Sequence, residues 1–343
     1  MDKQVTAARK KTVVLLRHIG IGDLIWHLPY IRAIAADSLD GKVSVIAAPT
    51  TRAPEILAAE NCIDEVILYD RNPRRGEKRK GLHGGIRGMF RFAREIEKYR
   101  FERIYIFSRR YHHSLVAWLA GIPMRAGFGT NLRQRLFLNQ QPYIVKYKGV
   151  GVEVFEDATS LAVAHGFVDK RVVPKMKVPE VDLAFGRQAV AGLPHPVVGF
   201  AIGTSEVHKH WGDEKYGALA DTLIERGYSV VLLGGPGEAA SAQRILDCVS
   251  AERRGGIRGL TKNTILQTAG VLRAVDCCVG NDTGVLNMAA ATDKPSICLL
   301  GKRPLLLHDP LIHCLNHATL DRITVDEVFA AVRKTSPAAS NAE

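Results

Sequence analysis

Most of the signatures that announce a chemistry are missing from this 343-residue chain. No apolar run approaches the roughly 20 residues that a membrane-spanning helix needs, so an integral membrane protein is not expected. The opening residues, MDKQVTAARKK, carry no apolar segment behind their charges and do not read as a secretory signal. The six cysteines include no CxxC, which points to reduced, mostly buried thiols in a cytosolic protein and away from a zinc site. There is no GxGxxG fingerprint, no GxSxG elbow and no cysteine–histidine arrangement for covalent catalysis. No DxD pair follows a strand, so a metal-held diphosphate has no evident holder. Short-period repeats and low-complexity arrays are absent too.

Positive charge, by contrast, is abundant. Lysine and arginine number 47 against 35 acidic residues, a formal net charge of +12. Such an excess implies an anionic partner: nucleic acid, an acidic glycan or a phospholipid surface. Much of it lies between Arg71 and Arg110, in RNPRRGEKRKGLHGGIRGMFRFAREIEKYRFERIYIFSRR. A solvated face that merely keeps the protein soluble is the plain alternative. The density of arginine, which pairs bidentately with phosphate and carboxylate, favours a binding surface. A nucleic-acid-binding protein would explain the charge alone, but no nucleic-acid module is visible.

With 46% hydrophobic residues the chain can bury one large core or two medium ones. Short apolar runs at 12–16, 42–47, 65–69 and 103–107 read as strands, and 24–36, 53–59, 87–99 and 113–120 as helices. The pattern restarts with strands at 197–201, 229–233, 276–279 and 296–300, and helices at 213–226, 238–250, 264–272, 284–292 and 324–334. This alternation predicts an α/β protein with parallel sheets covered on both faces. Two doubly wound domains are expected, residues 1–185 and 186–320, joined by a linker near 178–194. A terminal helix at 321–336 and a disordered SPAASNAE tail complete the chain. Ligands of such sheets bind at the carboxyl ends of the strands, here in a cleft between the domains.

Four strand-to-helix turns could carry chemistry. In RHIGIGDLIWHLP, Gly20 and Gly22 allow a tight turn and Asp23 falls at a helix start, where a plain capping role would also account for it. In GTSEVHKHWG, the hydroxyls of Thr204 and Ser205 and the cation of Lys209 suit a diphosphate. His208 and His210 there read as solvated side chains and Trp211 as core. In GNDTGVLNMAAA, the amides around Asp282, Thr283 and Gly284 open a helix whose positive end favours an anion. Asp282 itself would repel phosphate, so a sugar hydroxyl suits it better; alternatively Asp282 and Thr283 are caps. In GGPGE, Glu238 is placed to accept hydrogen bonds from hydroxyls.

Together these pieces resemble glycosyltransferase family 9, the ADP-heptose:lipopolysaccharide heptosyltransferases, over about residues 12–335. The carriers are LLRHIGIGDLIWHLP, GTSEVHKHWGDEKYGALADTLIERGYSVVLLGGPGE and VGNDTGVLNMAAATDKPSICLLG, in that order. The segment IFSRRYHHSLVAWLAGIPMRAGFG is similar to the heptosyltransferase II branch. The resemblance implies a GT-B fold, two Rossmann-like domains with the acceptor in the first and the nucleotide sugar in the second, and a terminal helix returning to the first domain. It implies Asp23 as catalytic base and Lys209 as the group that stabilises the leaving diphosphate. Thr204, Ser205, Lys209, Glu238, Asn263, Asp282, Thr283, Gly284 and Asn287 are expected to contact the nucleotide sugar. Gly20, Gly22, Arg109, Arg110 and His113 are expected to contact the acceptor. Two positions depart from the family: histidine is frequent at Asn287, and some members have an apolar residue at Asn263.

The implied activity is an inverting, metal-independent transfer of heptose from ADP-heptose to a lipopolysaccharide inner-core hydroxyl, with no cofactor. The implied location is the cytoplasmic face of the inner membrane, held peripherally through residues 71–110. A family-9 transferase with another donor or a protein acceptor is the alternative enzyme. A nucleotide-sugar-binding protein without catalysis is the alternative from another class.

Overall fold

The computed structural model describes residues 9–17, 20–71, 79–203 and 209–336. The chain divides into two compact units, one of Met1–Gly149 with Glu153–Val172, the other of Val150–Val152 with Val173–Glu343. The first contains β1 (Thr12–Leu16), α1 (Ile21–Ala36), β2 (Val43–Ala47), α2 (Ala53–Leu57), β3 (Ile63–Leu68), α3 (Gly85–Glu97), β4 (Arg103–Phe107), α4 (Tyr111–Leu119), β5 (Met124–Gly127), α5 (Leu132–Arg135) and α6 (Glu153–Ala164). The second contains α7 (Glu180–Val190), β6 (Val197–Ala201), α8 (Asp213–Glu225), β7 (Ser229–Leu233), α9 (Ala239–Asp247), β8 (Ile257–Leu260), α10 (Ile265–Ala274), β9 (Cys277–Asn281), α11 (Gly284–Ala291), β10 (Ser296–Leu300), β11 (Ile312–Asn316) and α12 (Val325–Thr335).

Each unit is built on one sheet. The first has strand order β3-β2-β1-β4-β5 and the second β11-β10-β9-β6-β7-β8, with every pairing parallel. The central strands TVVLL, VVGFA, SVVLL and SICLL are buried at every residue, as parallel strands covered on both faces require. The edge strand IDEVIL is only partly buried. Both orders reverse direction once. In the first sheet the reversal lies between β1 and β4, and in the second between β6 and β9. Such switch points open a crevice at the carboxyl ends of the strands, and the loops that follow β1, β4, β6 and β9 line it within each unit.

One expected boundary is revised. The division falls near residue 172, not 185, because the stretch expected as a linker is tied to the second unit. Met176 donates its amide to the Ala291 carbonyl at 2.8 Å, Lys175 pairs with Asp293 at 2.7 Å, and α7 packs closely on α10. That crossing depends on glycine: a Cβ on Gly186 would collide with the Gly270 backbone, and one on Gly270 with the Asp182 carbonyl. The terminal helix α12 packs against α8, β9 and β10. Its Val328 and Val332 join the buried cluster of Tyr216, Leu219 and Leu223, so apolar burial accounts for where it lies. The tail from residue 337 lies outside the described residues.

Candidate active site

In the first unit the switch-point loop leaves β1 through Arg17, and α1 begins sooner than its apolar pattern suggests. Gly20 is the residue ahead of the helix and Gly22 is already buried in its first turn. Asp23 therefore stands in that turn, where its Oδ2 accepts the Gly20 amide at 2.9 Å. A Cβ at Gly20 would stand 2.7 Å from that oxygen and push the carboxylate aside. One turn on, His27 Nδ1 donates to the Asp23 carbonyl at 2.6 Å, and its ring meets Phe107 edge-on. Burial brings His27 down to about 4, so its imidazole is neutral near pH 7. The turn that carries Asp23 is thus fixed from both sides, and Gly20 and Gly22 serve that turn.

The loop after β4 supplies the other wall. Ser108 Oγ accepts the Arg110 amide at 3.0 Å and lies 2.6 Å from His113 Nδ1, so its own hydrogen is left for the ring. His113 is 4% exposed. Burial, then the neighbouring His112 and arginines, hold it far below the ordinary histidine range. His113, the expected acceptor contact, supports the loop from a buried position. Arg109 is also committed, paired with Glu153 and Asp157 of α6, while its carbonyl accepts Asn131 Nδ2 at 3.0 Å. Arg110 is exposed and makes no ion pair with a described residue. A depression of about 460 Å³ opens here, lined by Arg109, Arg110, Tyr111, His112, Asn131, Leu132 and Arg133. Burial and the repulsion of Arg110 and Arg109 lower the Arg17 guanidinium, while Glu153 and Asp23 act in the opposite sense. A carboxylate and several guanidinium groups thus share one strand edge.

In the second unit the loop after β6 is joined to the end of β9. Trp211 donates its amide to Asn281 Oδ1 at 3.1 Å, and its indole donates to the Ile323 carbonyl at 3.0 Å. Asn281 is buried in β9 and leaves its Nδ2 without a partner among the described residues. Lys209 is half-buried two residues before Trp211. Thr204, Ser205 and His208 lie outside the described residues. His210 is held by the Gly212 amide, which donates to its Nδ1 at 3.1 Å.

Glu238 Oε2 accepts the Gly235 amide at 2.7 Å. Its carboxylate also faces Gly203, where a Cβ would sit 3.5 Å from Cδ. Thr283 caps α11, its Oγ1 accepting the Leu286 amide at 3.3 Å, and Gly284 begins the helix. Asn287 is buried and donates Nδ2 to the Thr283 carbonyl at 2.8 Å. The side chain that departs from the family pattern thus braces the turn that Asp282 and Thr283 form. Asp282 itself pairs with Arg303 at 3.2 Å. That neutralisation removes the conflict between a carboxylate and an anion at a helix start. Asn263 carries a buried Nδ2 with no hydrogen-bond partner among the described residues.

A profile of glycosyltransferase family 9 (heptosyltransferase) matches residues 89–324, more than half the chain. The chain belongs to that family. Lipopolysaccharide heptosyltransferase 2 of Escherichia coli K12 is 26% identical over 246 residues, 69% of this chain and 67% of that protein. Among solved structures, E. coli ADP-heptose lps heptosyltransferase II superposes with a TM-score of 0.74 at 21% identity, covering 95% of this chain and 98% of the other. The glycosyl transferase family 9 structure from Veillonella parvula gives 0.77 at 18% identity, covering 95% and 97%. The GT-B expectation of two Rossmann-like domains agrees with the two parallel sheets and with these neighbours.

For this family-9 glycosyltransferase the matched residues include the second-unit site groups from Lys209 to Arg303. The Asp23 turn precedes them. Arg17, His27, Ser108 and Arg303 were not anticipated from the sequence. Arg303 follows β10 in an irregular loop and meets Asp282 only through the fold, so no local spacing could announce it.

Proposed function

We propose that this glycosyltransferase transfers heptose from ADP-heptose to a hydroxyl of the lipopolysaccharide inner core, with inversion and without a metal. The observation that carries the donor half is the start of α11. There, first-turn amides meet a carboxylate already balanced by Arg303, and similarity to the E. coli lipopolysaccharide heptosyltransferase 2 and to the ADP-heptose lps heptosyltransferase II structure supports the heptose and its nucleotide. Asp23 takes the proton of the acceptor hydroxyl. That oxygen attacks the anomeric carbon, and ADP departs with the bonding electrons. General-base assistance of this kind is worth about 10²–10⁴-fold. Lys209 and the α11 amides stabilise the diphosphate as it leaves, an electrostatic task that lysine and a helix end can perform. Thr204 and Ser205 add hydroxyl contacts to the diphosphate, Glu238 a ribose contact, and Asn263 a contact to the base. The arginine-lined depression after β4 receives acidic groups of the acceptor. Among the described residues no helix is long and apolar enough to cross a membrane. In this reading the enzyme meets its glycolipid from the cytoplasmic side as a peripheral protein.

Calorimetry across ADP-, UDP- and GDP-sugars tests the donor. Binding confined to ADP-heptose is expected, and a preference for a UDP-sugar overturns the assignment. Donor binding without turnover on any inner-core acceptor would instead favour a pure binder.

A further inference from the structure

The helix α3 has two faces that differ more than solubility requires. Met89, Phe92, Ala93 and Ile96 join the core of the first unit, and Gly88 lies against the His83 backbone. On the opposite side Ile86 is 73% exposed and Phe90 49%. These two are one turn apart on the helix, and Leu82, in the turn ahead of it, is also exposed. Arg87, Arg91, Arg94 and Lys98 share that side, all exposed. None of the four forms an ion pair with a described residue. Glu95 lies 3.0 Å from His83 at the border of that side, and Glu97 is the other acidic group of the helix there. A depression of about 480 Å³ runs along it, lined by Arg87, Phe90, Arg91, Arg94, Glu95 and Lys98.

A face that serves solubility has no use for an isoleucine and a phenylalanine aligned one turn apart. Unpaired cations flanking such a stripe match a layer of lipid phosphates above a hydrocarbon region. We propose that α3 is an interfacial docking helix for a bilayer rich in anionic phospholipid. Ile86 and Phe90 enter the acyl boundary, while Arg87, Arg91, Arg94 and Lys98 lie on the headgroups, their aliphatic stems along the apolar stripe. The helix spans roughly 20 Å at 1.5 Å per residue, long enough to lie flat on several headgroups. The inference rests on the proposed glycolipid acceptor only for why the enzyme should visit a membrane.

The test is flotation of the full-length protein with vesicles of phosphatidylglycerol and phosphatidylethanolamine, against vesicles of phosphatidylcholine alone. Binding to the anionic vesicles and little to the neutral ones is expected. Arg87→Gln/Arg91→Gln/Arg94→Gln should lower the partition on the order of 100-fold. Ile86→Ser/Phe90→Ser should lower it on the order of 10-fold, because apolar burial in the interface is lost. All five positions are exposed, so melting temperatures and calorimetric donor affinity should match the parent protein. Those two readouts separate this proposal from the donor assignment. Wild-type protein that ignores anionic vesicles overturns the proposal, as do variants that bind like the parent. Loss only in the arginine variant overturns the insertion of Ile86 and Phe90. A concentration-dependent dimer abolished by the serine variant, without vesicle binding, would assign the face to a second copy of the chain.

Discussion

At the carboxyl edge of the first sheet, between β1 and β4, Asp23 shares its surroundings with the guanidinium groups of Arg17, Arg109 and Arg110. At the corresponding edge of the second sheet, between β6 and β9, Asp282 has the single guanidinium of Arg303 beside it and a helix start behind it. Sheet topology selects the same location twice and says nothing about what is bound there. The first edge gathers arginines around Asp23, Glu153 and Asp157, the first of them held by its own turn, and in the proposed reaction it takes the acidic acceptor and the base. The second sets an ion-paired carboxylate beside the first-turn amides of α11, which in the proposed reaction face the leaving anion. The fold supplies position, and local charge supplies the division of labour.

The sharpest way to break this division is Asp23→Asn. If the carboxylate is the base, turnover falls by about 10²–10⁴-fold while calorimetric donor affinity stays within a factor of about two. Near-normal turnover would leave Asp23 as a helix cap and nothing more. Lys209→Ala addresses the other edge. It should cost about 10²–10³-fold in turnover, by analogy with removal of one charge-stabilising donor. Its effect should grow with the basicity of the leaving group.

A third measurement separates the two regions by pH. His27 is neutral in the folded protein and titrates at about 4, against 6.5 for the free side chain. Between those values the unfolded chain binds the proton and the folded one does not. Stability is therefore complete above about 6.5 and falls as pH drops toward 4, by roughly 3 kcal/mol in all for this group. Buried His113 acts in the same direction. Chemical denaturation at several pH values should show the slope, and His27→Gln should flatten it by the His27 share. An unchanged slope would mean that the turn under Asp23 is not braced by a buried neutral imidazole.

The smallest effect is expected from Arg303→Ala, about tenfold in donor affinity, since the pair is partly exposed. If Arg303 acts by neutralising Asp282, adding Asp282→Asn should return affinity to within about twofold. Additive losses would show that Arg303 and Asp282 act on the donor independently.

The central strands were readable because burial on both faces makes them continuous apolar runs, and the turns beyond them because glycine, aspartate and threonine mark helix starts. MRAG, IRGL and IHCLN were not read as strands. Each is short, interrupted by charge, glycine or a polar side chain, and takes its conformation from an existing edge. The helix at 180–190 passed for a linker because its docking depends on a glycine in α10, some 80 residues away. At the site, Asp23, Asp282 and Thr283 were legible from their spacing. The burial of His113, the double ion pair of Arg109 and the meeting of Arg303 with Asp282 depend on residues distant in sequence. Those contacts distinguish a residue that braces a loop from one that faces a ligand.

The amide of Trp211 reaching Asn281 has a thermodynamic corollary. Folding alone immobilises the end of the β6 loop against β9, so ligand association need not quench that segment's motion. Donor binding should then owe less of its unfavourable entropy to this part of the chain, and loosening the bridge with Asn281→Ala should raise that entropic cost.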